Sequence, residues 1–190
     1  MLNDTVTDRT RIVLLRAFMK IMAVKSYEEI TVQEIARCAN VGRSTFYRYF
    51  PGKVDLLLYF HEYAFHYSGI VPQDKDAWLA DEPSPKLTHF LNRAKNEYHY
   101  TPFLYKLGNE IDYFTRQQKQ TLNRMFRESL EVNFSVDELK MPYDLIAQGM
   151  SGIFLEIFLG WIEDMQSQAP PEMANYLHQL IRGVLLQGME

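Results

Sequence analysis

The chain has 190 residues, 47% of them apolar and 14% aromatic, with a formal net charge of −4, which is enough apolar material to bury one large core or two small ones. Gly and Pro are scarce, Leu, Glu, Gln, Met and Lys are common, and no run alternates polar with apolar residues long enough to demand a sheet, so an all-α fold is expected. A single cysteine, Cys38, excludes an intrachain disulfide and a cysteine-based metal site, and the polar start MLNDTVTDRTR lacks the apolar core of a signal peptide, so a cytoplasmic location is expected.

The first predicted helix runs from Thr7 or Asp8 to Val24, with Ile12, Leu15, Met19 and Met22 as its apolar stripe. At Thr31, the spacing Thr31-x-x-Glu34 is a capping box that starts a short helix, in which Ile35, Ala36 and Ala39 share a face. Cys38 is expected to be buried as a small apolar residue. Asn40 accepts a left-handed backbone and Gly42 adds a second flexible point, so the chain reverses there. In the next helix Phe46 and Phe50 point inward, leaving Ser44, Tyr47 and Arg48 outside and Arg43 exposed at its start. That outer face is basic, hydroxylated and aromatic, without a carboxylate, as a helix lying in a DNA major groove requires. The pair reads as a helix-turn-helix, and the stripe of the first helix should pack on Ile35, Phe46 and Phe50 to complete a three-helix head.

Dividing the charge supports this reading. Residues 1–54 carry nine basic against five acidic residues, a net of +4, and the remainder carries −8. A basic head on an acidic body suits phosphate contacts confined to one end, because exposed charges act over roughly 8 Å.

Pro51-Gly52 ends the second hairpin helix, and a fourth helix follows from Val54 to Ser68. His61-Glu62 does not extend to a zinc motif, since Phe65 follows four residues after His61 and His66 lies on another face. The stretch 70–85 is rich in Pro, Asp and Glu and reads as a loop and as the seam between head and body. Further helices are expected over Pro85–Tyr98 with Leu87, Phe90, Leu91 and Ala94 inward, over Phe103–Leu107, and over Glu110–Val132. The segment Tyr143–Met165 is almost continuously apolar. Glu156 within it speaks against a membrane span, and burial in a core and against another subunit explains the same composition. A last helix after Pro171 carries Met173, Leu177, Leu180, Ile181, Val184 and Leu185. About nine helices are expected in all.

The pattern Ile35-Ala36-x-x-Ala39-x-Val41-x-x-x-Thr45-Phe46-Tyr47-x-Tyr49-Phe50-x-x-Lys53, with the amphipathic helix some twenty residues before it, resembles the DNA-binding domain of the tetracycline-repressor (TetR) family over residues 9–57. The resemblance implies a helix-turn-helix head, residues 1–53, and a ligand-binding and dimerisation body, residues 54–190. It implies DNA contacts by Thr31, Gln33, Arg43, Ser44, Thr45, Tyr47, Arg48, Tyr49 and Lys53. Arg43, Ser44 and Thr45 would read bases, Tyr47, Tyr49 and Lys53 would hold phosphates, Arg48 would do either, and Thr31 would be a phosphate contact or only a cap. Asn40 and Gly42 depart from the family's commoner Gly and Ser without breaking the hairpin.

By the same resemblance, the function is that of a transcriptional regulator, a repressor in most relatives, binding a palindromic operator as a homodimer through a four-helix bundle of its last two helices. Dimerisation also follows from the short reach of one recognition helix, which spans three or four base pairs. The body is expected to hold a small hydrophobic or aromatic effector among Phe90, Tyr98, Phe103, Tyr105, Tyr113, Phe114, Phe126, Phe154, Phe158 and Trp161, for each of which plain core packing is the competing reading. Glu97, Glu110, Asp112 and Glu156 nearby would suit a cation. The alternative is a constitutive regulator whose body has no pocket. No cofactor or metal is expected, and no enzymatic motif appears, the five His being scattered.

Overall fold

The computed structural model describes residues 6–96, 111–163 and 168–189; the expected helix at 103–107 lies outside them. Nine α-helices and two 3-10 turns, with no strand, make up the described residues. Two compact units result, the first holding the chain up to His61 together with 111–114, and the second holding the rest.

In the first unit, α1 (Val6–Met22) leads through a 3-10 turn (Tyr27–Glu29) to α2 (Val32–Cys38), α3 (Arg43–Tyr49) and the first half of α4 (Lys53–Tyr67). Leu14 and Phe18 are fully buried on α1, with Leu15 and Ala17 beside them, whereas Ile12, Met19 and Met22 are only half-buried. The inward face is therefore rotated from the expected stripe. Residues three and four apart fit two adjacent faces equally well, and the line 14–18 is the one aimed at the core. Ile30, Ile35, Ala36, Phe46, Phe50, Leu56 and Leu57 complete this core.

The second unit begins in the latter half of α4. Here the stretch expected to be a loop and a seam contains α5 (Lys75–Leu79) and lies wholly inside this unit. The Asp74 carboxylate caps α5 by accepting from the Ala77 amide at 2.8 Å, and Trp78 is 1% exposed. The Trp78 indole N–H donates to the Ser129 hydroxyl at 3.0 Å, and that hydroxyl donates to the Pro72 carbonyl. The buried indole is thus satisfied, as burial of a polar atom demands.

Around this segment pack α6 (Pro85–Asn96), α7 (Ile111–Asn133), α8 (Tyr143–Glu163) and α9 (Pro170–Met189). Gly69 has φ 71° and a side chain there would meet the Cβ of Lys86 at 2.8 Å, so only glycine fits. α8 is long and apolar enough to cross a membrane, but Ile146, Ala147, Met150, Phe154 and Phe158 lie in the core of the second unit. α9 runs antiparallel along it: a side chain at Gly188 would strike Ile146, Gly149 faces Val184, and the Lys140 amide donates to the Gly188 carbonyl at 2.7 Å. On the opposite side of α9, His178 Nε2 is 2.8 Å from the Ala80 carbonyl, and Arg182 donates to the Leu79 carbonyl and pairs with Asp81.

Candidate nucleic-acid interface

The hairpin is built by local hydrogen bonds that the residue types dictate. The Thr31 hydroxyl accepts from the Glu34 amide at 3.2 Å, while the Glu34 carboxylate accepts from the Thr31 amide at 3.0 Å, the reciprocal capping box. Lys25 also pairs with Glu34. These partners, Lys25 first and Thr31 next, pull the Glu34 carboxyl down to about 2, so it stays ionised and committed to the cap.

At the other end of α2, Asn40 has φ 54°, its amide donates to the Arg37 carbonyl at 3.1 Å and the Val41 amide to the Ala36 carbonyl at 2.9 Å. This is the Schellman closure, made here by Asn instead of Gly. Gly42 is extended, with φ −74°. The reversal therefore needs one left-handed residue and not two. Gly42 caps α3 without any side-chain hydrogen bond.

On α3, Phe46 is buried against Phe50 with ring centroids 5.9 Å apart. Anchored this way, the helix leaves Arg43, Ser44, Tyr47 and Arg48 exposed and Thr45 and Tyr49 half-buried; Thr31 and Gln33 on the neighbouring helix are exposed too. The Arg43 guanidinium lies 6.0 Å from the Tyr47 ring centroid. Among the described residues neither Arg43 nor Arg48 is in an ion pair. Guanidinium groups without an ion pair among the described residues, on a carboxylate-free helix, leave a positive surface open to an anionic ligand.

Two expectations meet a different arrangement. Cys38 is exposed instead of buried, because α2 turns Ile35, Ala36 and Ala39 inward and position 38 falls outside that face. Lys53 is turned inward: its ammonium donates to the Tyr27 carbonyl at 2.8 Å and the Ile30 carbonyl at 3.3 Å.

The expected effector residues divide in the same way. Tyr98, Phe103, Tyr105, Glu97 and Glu110 lie outside the described residues. Tyr113 is 45% exposed. Phe114 belongs to the first unit, where its ring stands 4.9 Å from that of His61. Complete burial pushes the His61 imidazole down to about 3, so it is neutral at neutral pH.

In the second unit Phe90, Phe126, Phe154, Phe158 and Trp161 are buried and several touch one another: Phe154 and Phe158 stack at 5.3 Å, and Phe90 and Phe158 at 5.7 Å. Asp112 and Glu156 are exposed, so of the four acids suggested for a cation neither described one is buried. Two shallow depressions lie elsewhere on the unit, one of about 200 Å³ between His66, Lys86 and His178 and one beside Met125 and Ser129, and neither is lined by any of the aromatic candidates.

Comparison with known proteins bears on the head first. Residues 14–60 match the family described as bacterial regulatory proteins, tetR family. No curated protein matches the chain in sequence. Among solved structures, a TetR transcriptional regulator from Streptococcus agalactiae shares 26% identity, with 92% of this chain and 94% of that one covered and a TM-score of 0.53. The TetR-family repressor AlkX from a Dietzia species superposes with a TM-score of 0.61 at 15% identity over 95% and 97% of the two chains. The Thermus thermophilus repressor FadR, solved in complex with lauroyl-CoA, gives 0.57 at 21% identity over 95% of each. The helix-turn-helix of this chain is thus matched in sequence by the tetR family of bacterial regulatory proteins, and its all-helical fold is shared along nearly the whole length with solved TetR-family regulators.

Proposed function

We propose that the protein is a cytoplasmic repressor that binds a palindromic operator as a homodimer and is released by a small hydrophobic effector. The observation that carries the DNA-binding half is the outer face of α3, where Arg43, Ser44, Tyr47 and Arg48 stand exposed and the two arginines have no acidic partner among the described residues. Arg43, Ser44 and Thr45 are assigned to base edges, Tyr47 and Tyr49 to phosphates, and Arg48, Gln33 and Thr31 to contacts at the groove edge. The protein acts by binding, not by catalysis.

Support for the dimer comes from the last two helices. Leu145, Tyr176 and Leu180 are large apolar residues left 45 to 55% exposed there, and a second copy would cover them. Two recognition helices related by a two-fold axis would then read half-sites about one helical turn apart. The effector half draws on the aromatic richness of the second unit and on the lauroyl-CoA held by the Thermus relative. α4, continuous from the first unit into the second, would carry effector binding to the heads.

The stacked rings of Phe90, Phe154 and Phe158 favour a second reading, in which the body is filled and the protein binds DNA constitutively. The test is selection of operator sequences from a random duplex pool by the purified protein, followed by a titration with acyl-thioesters and aromatic compounds. A palindromic consensus bound by two copies, released on titration, is the expected outcome. Recovery of no consensus would overturn the DNA reading, and a complex indifferent to every compound would favour the constitutive one.

A further inference from the structure

Lys53 is the first residue of α4, a position where the positive end of the helix dipole makes an ammonium unfavourable. Its stem carries the charge back across the head. Nζ lies 2.8 Å from the carbonyl of Tyr27, 3.3 Å from that of Ile30 and 3.5 Å from that of Glu28, and 4.1 Å from the centroid of the Tyr27 ring. An ammonium has three N–H donors, and three carbonyls face it. Two of these carbonyls belong to the 3-10 turn and the third to Ile30, its C-cap, which immediately precedes Thr31, the cap of α2. Tyr27 is itself fixed, being 3% exposed with its ring 6.4 Å from that of Phe18 on α1.

The two ends of the helix-turn-helix are therefore tied together. Residues 31–50 hold both helices of the hairpin, the carbonyls lie just before them, and Lys53 lies just after. We propose that Lys53 is a positioning residue, a clasp that fixes the start of α4 to the start of α2, and that its charge is spent on this joint and not on a DNA phosphate. The proposal rests on the DNA-binding reading only where operator affinity is concerned. Through the clasp, a displacement of α4 reaches α2 directly, without passing through the hairpin turn.

The test is Lys53→Met, which keeps the stem and removes the charge, in the full chain. Without DNA, the clasp predicts a thermal midpoint lower by several degrees and amide exchange in α2 and α3 at least tenfold faster than in the wild type. With DNA, it predicts a several-fold weaker complex whose slope of log affinity against log salt equals that of the wild type. A slope smaller by about 0.9, the signature of one lost phosphate contact, overturns the proposal whether or not the midpoint moves, and so does an unchanged midpoint with unchanged exchange. If Lys53→Met fails to fold, the clasp is supported, because a solvent-facing phosphate ligand is dispensable for folding; Lys53→Gln, which keeps one donor group, then supplies the slope. Were the wild type to bind no duplex at all, the functional reading would fail while the thermal and exchange measurements still decided the clasp.

Discussion

The arginines of α3 and those of α7 and α9 are used in opposite ways. On α7, Arg124 pairs with Glu62 and Glu128, Arg127 pairs with Glu131 and Asp144, and on α9 Arg182 holds Asp81. On α3, Arg43 and Arg48 have no ion pair among the described residues, although acids are more numerous than bases in the chain. Exposed ion pairs add little stability, so the difference is not one of folding. It separates charge that the fold neutralises within itself from charge left open, which the proposed function assigns to the phosphates and bases of DNA.

The contrast is broken most severely by removing what presents the α3 face. Phe46→Ala, at a site with 0% exposure, is expected to cost about 3 to 5 kcal/mol in urea unfolding; a loss under about 1 kcal/mol would mean that α3 is not anchored through this ring. Arg43→Ala should weaken the preferred operator by about 1 to 3 kcal/mol and relax the choice of base at its position, whereas Arg127→Ala should leave the mobility-shift titration where it was. Equal effects of the two would erase the distinction between them.

A smaller effect depends on pH. His61 is neutral when folded, with its pKa pushed down to about 3 by burial, while in the unfolded chain it titrates near 6.5. Above that value the two states bind the same number of protons; below it the unfolded state binds more, so stability falls as pH falls from 6.5 toward 3, by about 1.4 kcal/mol at pH 5.5. The carboxyls of Glu34 and Glu138, lowered to about 2, lose their contribution in a separate window below 4.5. His61→Leu should flatten the upper acid limb between pH 6.5 and 5, and an unaltered limb would place the loss on other groups. The smallest change is Gly42→Ser, which supplies α3 with the hydroxyl cap it lacks. A gain of a few tenths of a kcal/mol is expected, and a loss would show that the hydroxyl does not reach the first-turn amides.

What was legible in the chain follows from the range of the interactions. Thr31 with Glu34, and Asn40 with the carbonyls behind it, act within six residues, and the hairpin they build was readable from spacing. α5 was not, since five residues complete barely more than a turn and show no period, although Asp74 before Lys75-Asp76-Ala77 was a usable capping signal. The inward face of α1 is not legible in the chain, because only tertiary packing chooses between two faces with equal spacing. Lys53 is beyond local reading altogether, as its partners lie more than twenty residues earlier. Burial of Phe90, Phe154 and Phe158 was legible as well, but periodicity is blind to whether buried rings touch each other or surround a space.

The outward placement of Cys38 has a practical corollary. It is the sole sulfhydryl of the polypeptide and stands exposed on α2, so a maleimide fluorophore attaches at one known address without mutagenesis. In the proposed dimer, each copy bearing one dye, energy transfer becomes a ruler for the separation of the two α2 helices, with and without a candidate effector.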